Sequence, residues 1–289
     1  MHVVTARIMA ALRSPSPHTR AETSIHFHCP TLMTDSHSPA SSTTGSTTEV
    51  TLSTPTLSTL TLQAGDGHRL SGLLGRPGGA QADAPLGGLV ITHDAFGMSR
   101  YARSVCERWA AAGFLTLVPA LYDRQQAGAG FDDVEQHPER MAAARSLRGG
   151  LAWDSVLQDV AAACNWLRQQ GKVGKVGILG FCVGGSVVWQ SAARLAFDAA
   201  VAYYPSDILS LTDCQPRCPI QLHFGQHDTL IPIDGVRALL AQRASAGTGL
   251  PAFEYAAGHG FDGPSARHDA AASALAGERA LAFLRARLA

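Results

Sequence analysis

Charge is scarce in this chain of 289 residues: Asp, Glu, Lys and Arg make up 16% of it, and 23 basic residues balance 23 acidic ones. With no excess of either sign, there is no electrostatic footprint for nucleic acid or for an anionic membrane surface. Long apolar runs are missing too. None approaches the roughly 18 uninterrupted residues of a membrane-spanning helix, so no membrane partner is expected. Cysteine is sparse, with 6 residues scattered along the chain. That is no disulfide scaffold at this length, and free thiols in a reducing, cytoplasmic setting are expected. What the chain does have is apolar material, 46% of its residues. This suffices for the core of one large α/β domain.

The beginning of the chain differs from the rest. From Thr34 to Thr61 Ser and Thr dominate, with almost no large apolar residue before Val50. Such a segment cannot bury enough surface to offset the entropy of ordering it, so residues 1–55 are expected to be a disordered tail. Arg7, Arg13 and Arg20, with Glu22 the one acidic residue before Asp35, fit a transit peptide. The plainer reading, translation starting at Met33, is preferred. The folded domain is expected over 56–289.

There, Thr59 to Gln63 alternates polar and apolar residues, Gly65-Asp66-Gly67 supplies a turn, and His68 to Leu74 alternates again. That pattern predicts a β-hairpin. Short apolar runs follow at Leu86–Thr92, Phe114–Val118, Val176–Phe181, Ala199–Tyr203 and Ile220–Phe224. Bounded by turns, they read as strands buried on both faces. Helical patterns over Ser99–Ala112, Asp154–Gln170, Val183–Leu195, Asp234–Ala246 and Asp269–Leu288 alternate with them, Asp154 a candidate N-cap and Gly171 a candidate stop. Strand–helix alternation predicts crossover connections: an α/β fold with a mostly parallel central sheet, helices on both faces and an N-terminal β-hairpin.

The chemistry concentrates where strands end. Gly180-Phe181-Cys182-Val183-Gly184-Gly185 lies where a strand meets a helix. Glycines two positions either side of a nucleophile permit a tight strand-to-helix turn that larger side chains would block. Such a turn exposes the Cys182 sulfur beside a helix N-terminus, whose dipole favours the reactive thiolate. Alone, this motif serves a buried structural cysteine about equally well. Gly225-Gln226-His227-Asp228 and Gly258-His259-Gly260-Phe261 follow later strands. The order nucleophile, acid, histidine gives an imidazole to move a proton and a carboxylate to orient it. Cys182, Asp228 and His259 are therefore the candidate triad. After the first run, Thr92-His93-Asp94-Ala95-Phe96-Gly97 is placed to supply an oxyanion-binding amide from Ala95, the second coming from Val183. Asp94 is a further carboxylate at the same sheet edge, or else a turn residue.

These motifs, together with Asp66-Gly67-His68, Pro119-Ala120-Leu121-Tyr122 and Gly174-Lys175-Val176-Gly177, resemble the dienelactone hydrolase (carboxymethylenebutenolidase-like) family. The resemblance runs from about residue 58 to the C-terminus. It implies an α/β-hydrolase fold and hydrolysis of a lactone or enol ester through a cysteine acyl-enzyme, without metal or organic cofactor. It further implies a small-molecule ester or lactone as partner, a monomer, and a thiol-activating role for Asp94 where the family archetype has Glu. The archetype also has, four residues after its histidine, an arginine that binds substrate carboxylate. Here that position is Gly263, and the nearest arginine is Arg267. A second family arginine corresponds to Arg140 or Arg145, which spacing does not decide between. Phe96, Tyr122 and Phe261 are candidates to line an apolar substrate site.

Cys214 and Cys218, and His93 and His227 beside the proposed acids, carry ligating atoms, but their placement reads as that of bystander or packing residues rather than of a metal site. A broader carboxylesterase or thioesterase on the same scaffold is the main alternative, and a non-catalytic binding relative a lesser one.

Overall fold

The computed structural model describes residues 54–289. The expected N-terminal tail therefore lies, but for its last two residues, outside the described residues, as does Met33. An antiparallel hairpin, β1 (Thr56–Gln63) and β2 (Arg69–Arg76), opens the sheet. Then β3 (Gly88–Thr92), α1 (Arg100–Ala111), β4 (Leu115–Pro119), α2 (Pro138–Gly149), α3 (Trp153–Arg168), β5 (Val176–Phe181) and α4 (Val183–Arg194) follow. The chain closes with β6 (Ala199–Tyr203), β7 (Ile220–Gly225), α5 (Ile233–Ser245), β8 (Ala252–Tyr255) and α6 (Ala270–Leu288).

The strands form one sheet in the order β1-β2-β4-β3-β5-β6-β7-β8, parallel from β4 through β8. Every residue of β3, β4, β5, β6 and β7 is buried. Successive strand residues point to opposite faces, so uninterrupted burial means that helices cover both. The apolar runs of the sequence are the strands of this core.

Two helices depart from what the sequence suggests. Asp154 does not cap its helix: α3 begins at Trp153 after Ala152, and Asp154 sits in the first turn, paired with Arg194. That helix also stops short of Gly171, with Gln169 as its C-cap. The second is α2, which the apolar pattern did not announce. It buries only Ala144, so it carries almost no core periodicity to read.

Register positions the site. Thr92 pairs with Gly180, Phe181 with Tyr203, and Gly225 with Tyr255. The residues just beyond these pairs leave the same C-terminal edge together, the edge where open α/β sheets bind ligands.

Candidate active site

Cys182 is held in a backbone conformation that side chains seldom adopt, φ 54° and ψ −118°, between β5 and α4. Its amide donates to the Tyr203 carbonyl at 3.0 Å, and its carbonyl accepts from Ser186 and Ser206 at 3.1 and 3.2 Å. Three contacts thus hold the strain in place. The flanking glycines are demanded by close approach. A Cβ on Gly180 would overlap the Thr92 hydroxyl and come within 2.5 Å of the Gly184 carbonyl oxygen. One on Gly184 would overlap the carbonyl oxygens of Thr92 and His93, and one on Gly185 would lie 2.6 Å from that of Tyr203. The Thr92 hydroxyl donates to the Gly184 carbonyl at 2.8 Å, fastening β3 to the turn.

The turns after β7 and β8 bring Asp228 and His259 together. His259 Nδ1 lies 2.8 Å from Asp228 Oδ2, with both residues buried. The other carboxylate oxygen accepts from the Leu230 and Ile231 amides at 2.8 and 2.9 Å, which fixes the carboxylate plane. His259 Nε2 is buried without a hydrogen-bond partner among the described residues. Burial works against protonating this ring, but the Asp228 carboxylate at Nδ1 and the nearby Cys182 sulfur outweigh it and lift the pKa to about 9. An imidazole that holds a proton so firmly is matched to a nearby anion. The edge of the Tyr204 ring packs on it, centroids 5.1 Å apart.

Cys182 and His259 open into a cavity of about 490 Å³. Asp94, Ala95 and Phe96 line it from the β3–α1 connection. Asp94 Oδ1 accepts from the Phe96 amide at 2.9 Å, so one of its oxygens performs the turn chemistry considered above. Burial pushes its pKa up to about 6, against the opposing pull of the Phe96 amide, Arg267 and His259. The amides of Ala95 and Val183 find no acceptor among the described residues. His93 shapes this loop from beneath: its Nδ1 meets the Asp94 carbonyl at 2.7 Å and its Nε2 accepts from the Leu121 amide at 3.2 Å. Burial lowers its pKa to about 4, so it stays neutral at pH 7. His227 is exposed.

The remaining candidates divide. Phe96 and Arg145 line the cavity. Tyr122 does not: it is 1% exposed, and its hydroxyl donates to the Ala95 carbonyl at 3.0 Å. It supports the loop from behind. Phe261 is fully buried against Tyr204 and Tyr255, so it anchors the histidine turn in the core. Arg140 also misses the cavity, since its guanidinium donates to the Asp132 carbonyl at 2.9 Å. A loop's address in sequence does not say which way its aromatic residues turn.

Other lining residues were not foreseen: Met141, Arg148, Tyr204, Ser206, Thr229 and Leu230, with Arg267 beside them. A signal for Arg148 existed. Met141, Ala144, Arg145 and Arg148 are spaced i, i+3, i+4, i+7, one face of α2, and all four line the cavity. Arg148 pairs with Asp207 at 2.8 Å and also reaches the Ser206 hydroxyl at 3.2 Å. Neither Arg145 nor Arg267 pairs with a carboxylate among the described residues.

Comparison with known proteins agrees with this architecture. The family model for the dienelactone hydrolase family matches residues 70–288. Carboxymethylenebutenolidase of Pseudomonas putida is 31% identical over 230 residues, covering 78% of this chain and 94% of that protein. Carboxymethylenebutenolidase 1 of Cupriavidus pinatubonensis is 27% identical, covering 75% and 92%. Among solved structures, a dienelactone hydrolase-like promiscuous phosphotriesterase from metagenomic libraries superposes with a TM-score of 0.61 at 20% identity, covering 81% of this chain and 99% of that one. A Pyrococcus furiosus esterase gives 0.59 at 17% identity, covering 82% and 95%. With an α/β-hydrolase sheet and a family match over nearly all of its described length, the chain belongs to the dienelactone hydrolase family of carboxylic ester hydrolases.

Proposed function

We propose that this hydrolase cleaves a lactone or ester through a covalent acyl-cysteine on Cys182, with His259 as proton carrier and Asp228 as its orienter. The observation that carries the reading is the buried His259–Asp228 contact of 2.8 Å beside a cysteine held at φ 54° on a strand-to-helix turn. In the first half-reaction the Cys182 proton resides on His259 Nε2 and the sulfur attacks the carbonyl carbon. Negative charge builds on the carbonyl oxygen, where the amides of Ala95 and Val183 are available to donate. The C–O bond breaks as His259 returns its proton to the departing oxygen, which in a lactone stays tethered to the acyl chain. Water then attacks the thioester and gives a proton to His259. The carbon–sulfur bond breaks, and the acid is released.

Asp94 would act on this pair through its charge, being felt by His259 while one of its oxygens is held by the turn. Arg145 and Arg267 bring positive charge to the cavity without a close ion pair among the described residues, Asp94 feeling Arg267 only through its charge, which favours a substrate carrying an anionic group. Phe96, Met141 and Leu230 supply apolar surface for its carbon skeleton.

Steady-state hydrolysis of dienelactone and of a neutral p-nitrophenyl ester, by the wild type and by Cys182→Ala, tests this reading. Turnover of dienelactone that vanishes in the variant supports it. Cys182-dependent turnover confined to the neutral ester would keep the mechanism and exclude the anionic substrate. Activity that survives in Cys182→Ala would overturn the acyl-cysteine.

A further inference from the structure

Asp262 lies three residues beyond His259, and its side chain is wholly buried. The turn that carries both is tight: Gly260 has φ 79°, and the Gly263 amide donates to the Gly260 carbonyl at 2.9 Å. The Asp262 carboxylate gathers donors from two helices. The Tyr101 hydroxyl of α1 donates to Oδ2 at 2.5 Å. Arg108, also of α1, donates through Nη2 to Oδ2 at 2.8 Å and through Nη1 to Oδ1 at 3.3 Å. The Ser273 hydroxyl of α6 donates to Oδ1 at 2.7 Å. An ionised group inside a core is costly unless its lone pairs are answered, and here they are.

What gives this cluster significance for the reaction is the other side of Tyr101. Its ring packs edge-on against Phe181, centroids 5.6 Å apart. Phe181 immediately precedes Cys182. One side chain therefore touches both halves of the catalytic pair, its hydroxyl on the turn that carries His259 and its ring on the turn that carries Cys182. Sulfur and imidazole come from different strands, and His259 Nε2 makes no hydrogen bond among the described residues, so the ring is set by Asp228 and by the turn that carries it.

We propose that Tyr101 and Asp262 are positioning residues that fix the separation of His259 from Cys182, with Arg108 and Ser273 holding the Asp262 carboxylate. The proposal rests on the reading of His259 as proton carrier. Neither residue lines the cavity that holds Cys182. Tyr101 borders the adjoining cavity, which shares Asp94 and Phe96 with it, but its hydroxyl is taken by Asp262, so removing that hydroxyl acts on proton transfer and the reactivity of the sulfur.

The test uses the full chain as wild type, Tyr101→Phe, Asp262→Asn and His259→Ala. It measures kcat and KM on a p-nitrophenyl ester, with the rate at which iodoacetamide labels the Cys182 peptide at neutral pH, read by mass spectrometry. Tyr101→Phe keeps the ring on Phe181 and removes only the hydroxyl. The expected result is a kcat about ten- to a hundredfold lower, as small misplacements of reacting groups produce. KM stays within about twofold, since substrate contacts are untouched. Labelling slows toward the rate of His259→Ala. If Asp262→Asn fails to fold, Tyr101→Phe decides alone. A Tyr101→Phe enzyme with wild-type kcat and labelling, beside an inactive His259→Ala, overturns the brace and leaves the role of His259 standing. A change in KM alone also overturns it. Full activity in His259→Ala would remove the reading on which the proposal depends.

Discussion

Replacing Asp228 by Asn separates charge from shape at the centre of the site. The side-chain carbonyl of Asn can still accept from the Leu230 and Ile231 amides, which now donate to Oδ1 at 2.8 and 2.9 Å. The turn after β7 should therefore survive. What changes is the atom facing His259 Nδ1, from an anionic acceptor to an amide donor. The imidazole must then either lose its hydrogen bond or carry its proton on the wrong nitrogen. The magnitude follows from the pKa. His259 is lifted from 6.5 to about 9, which is about 3 kcal/mol of preference for the protonated ring. That is a net figure, because burial pulls the other way, so the carboxylate and the sulfur together supply more than this. With the carboxylate gone and burial retained, the pKa should fall toward 6.5 or below. The wild-type pH–rate profile is expected to lose activity above about pH 9, as the imidazolium is lost. In Asp228→Asn that limb should move down by roughly 2 units, with kcat reduced about 10³- to 10⁴-fold, as when the acid of a serine triad is amidated. Stopped-flow pH–rate profiles on one activated ester would read both. A limb that stays at pH 9, or a kcat within threefold of wild type, would refute the argument.

Gly180→Ala should fail at the level of the fold, because the added methyl meets the Thr92 hydroxyl and the Gly184 backbone with no room to shift. A loss of about 3 kcal/mol or more is expected by urea denaturation, with little activity remaining. Asp94→Asn should abolish a limb in the pH–rate profile near pH 6, where burial places the Asp94 carboxyl, while the Phe96 turn persists through the side-chain oxygen. An unaltered profile would confine Asp94 to turn chemistry. Acid should weaken the whole fold through two buried neutral histidines. Burial lowers the pKa of His223 to about 3 and of His93 to about 4, below the ordinary 6.5. Their neutral burial costs nothing above pH 6.5, and stability falls as the unfolded chain takes up protons below it. By pH 5 each should remove about 2 kcal/mol. His259 has the opposite sign, adding stability below pH 6.5 that disappears as pH rises through about 9. Denaturation midpoints at pH 7, 6 and 5 would check the sum.

How much could be read in the sequence depended on whether the cause was local. The strand-to-helix turn at Cys182 is specified by glycines within three residues of it, because the clash they avoid is with backbone that must pass there. The sheet was legible because burial on both faces leaves a continuous apolar run in β3, β5 and β6. Helix α2 was missed for the converse reason. It buries one alanine, and the same face turns Met141, Arg145 and Arg148 to the cavity. Tyr122 and Phe261 were placed in the right loops, but nothing in their neighbourhoods reveals that one supports Ala95 and the other fills the core.

Asp262 lies further still from local reading. Its partners Tyr101, Arg108 and Ser273 are 161, 154 and 11 residues away, and only the packing of α1 and α6 brings them to one carboxylate. The same holds for charge in the cavity. The archetype's arginine after the histidine is replaced here by Gly263, whose amide closes the turn onto Gly260. The position itself borders the cavity, where a Cβ would meet only the Gly260 carbonyl oxygen at 3.3 Å. Positive charge instead enters from Arg145 and Arg148 on α2 and from Arg267, beyond the turn. A vacant motif position therefore does not mean an uncharged site: an anion can be met by guanidinium groups from another element, provided its helical face points at the same cavity.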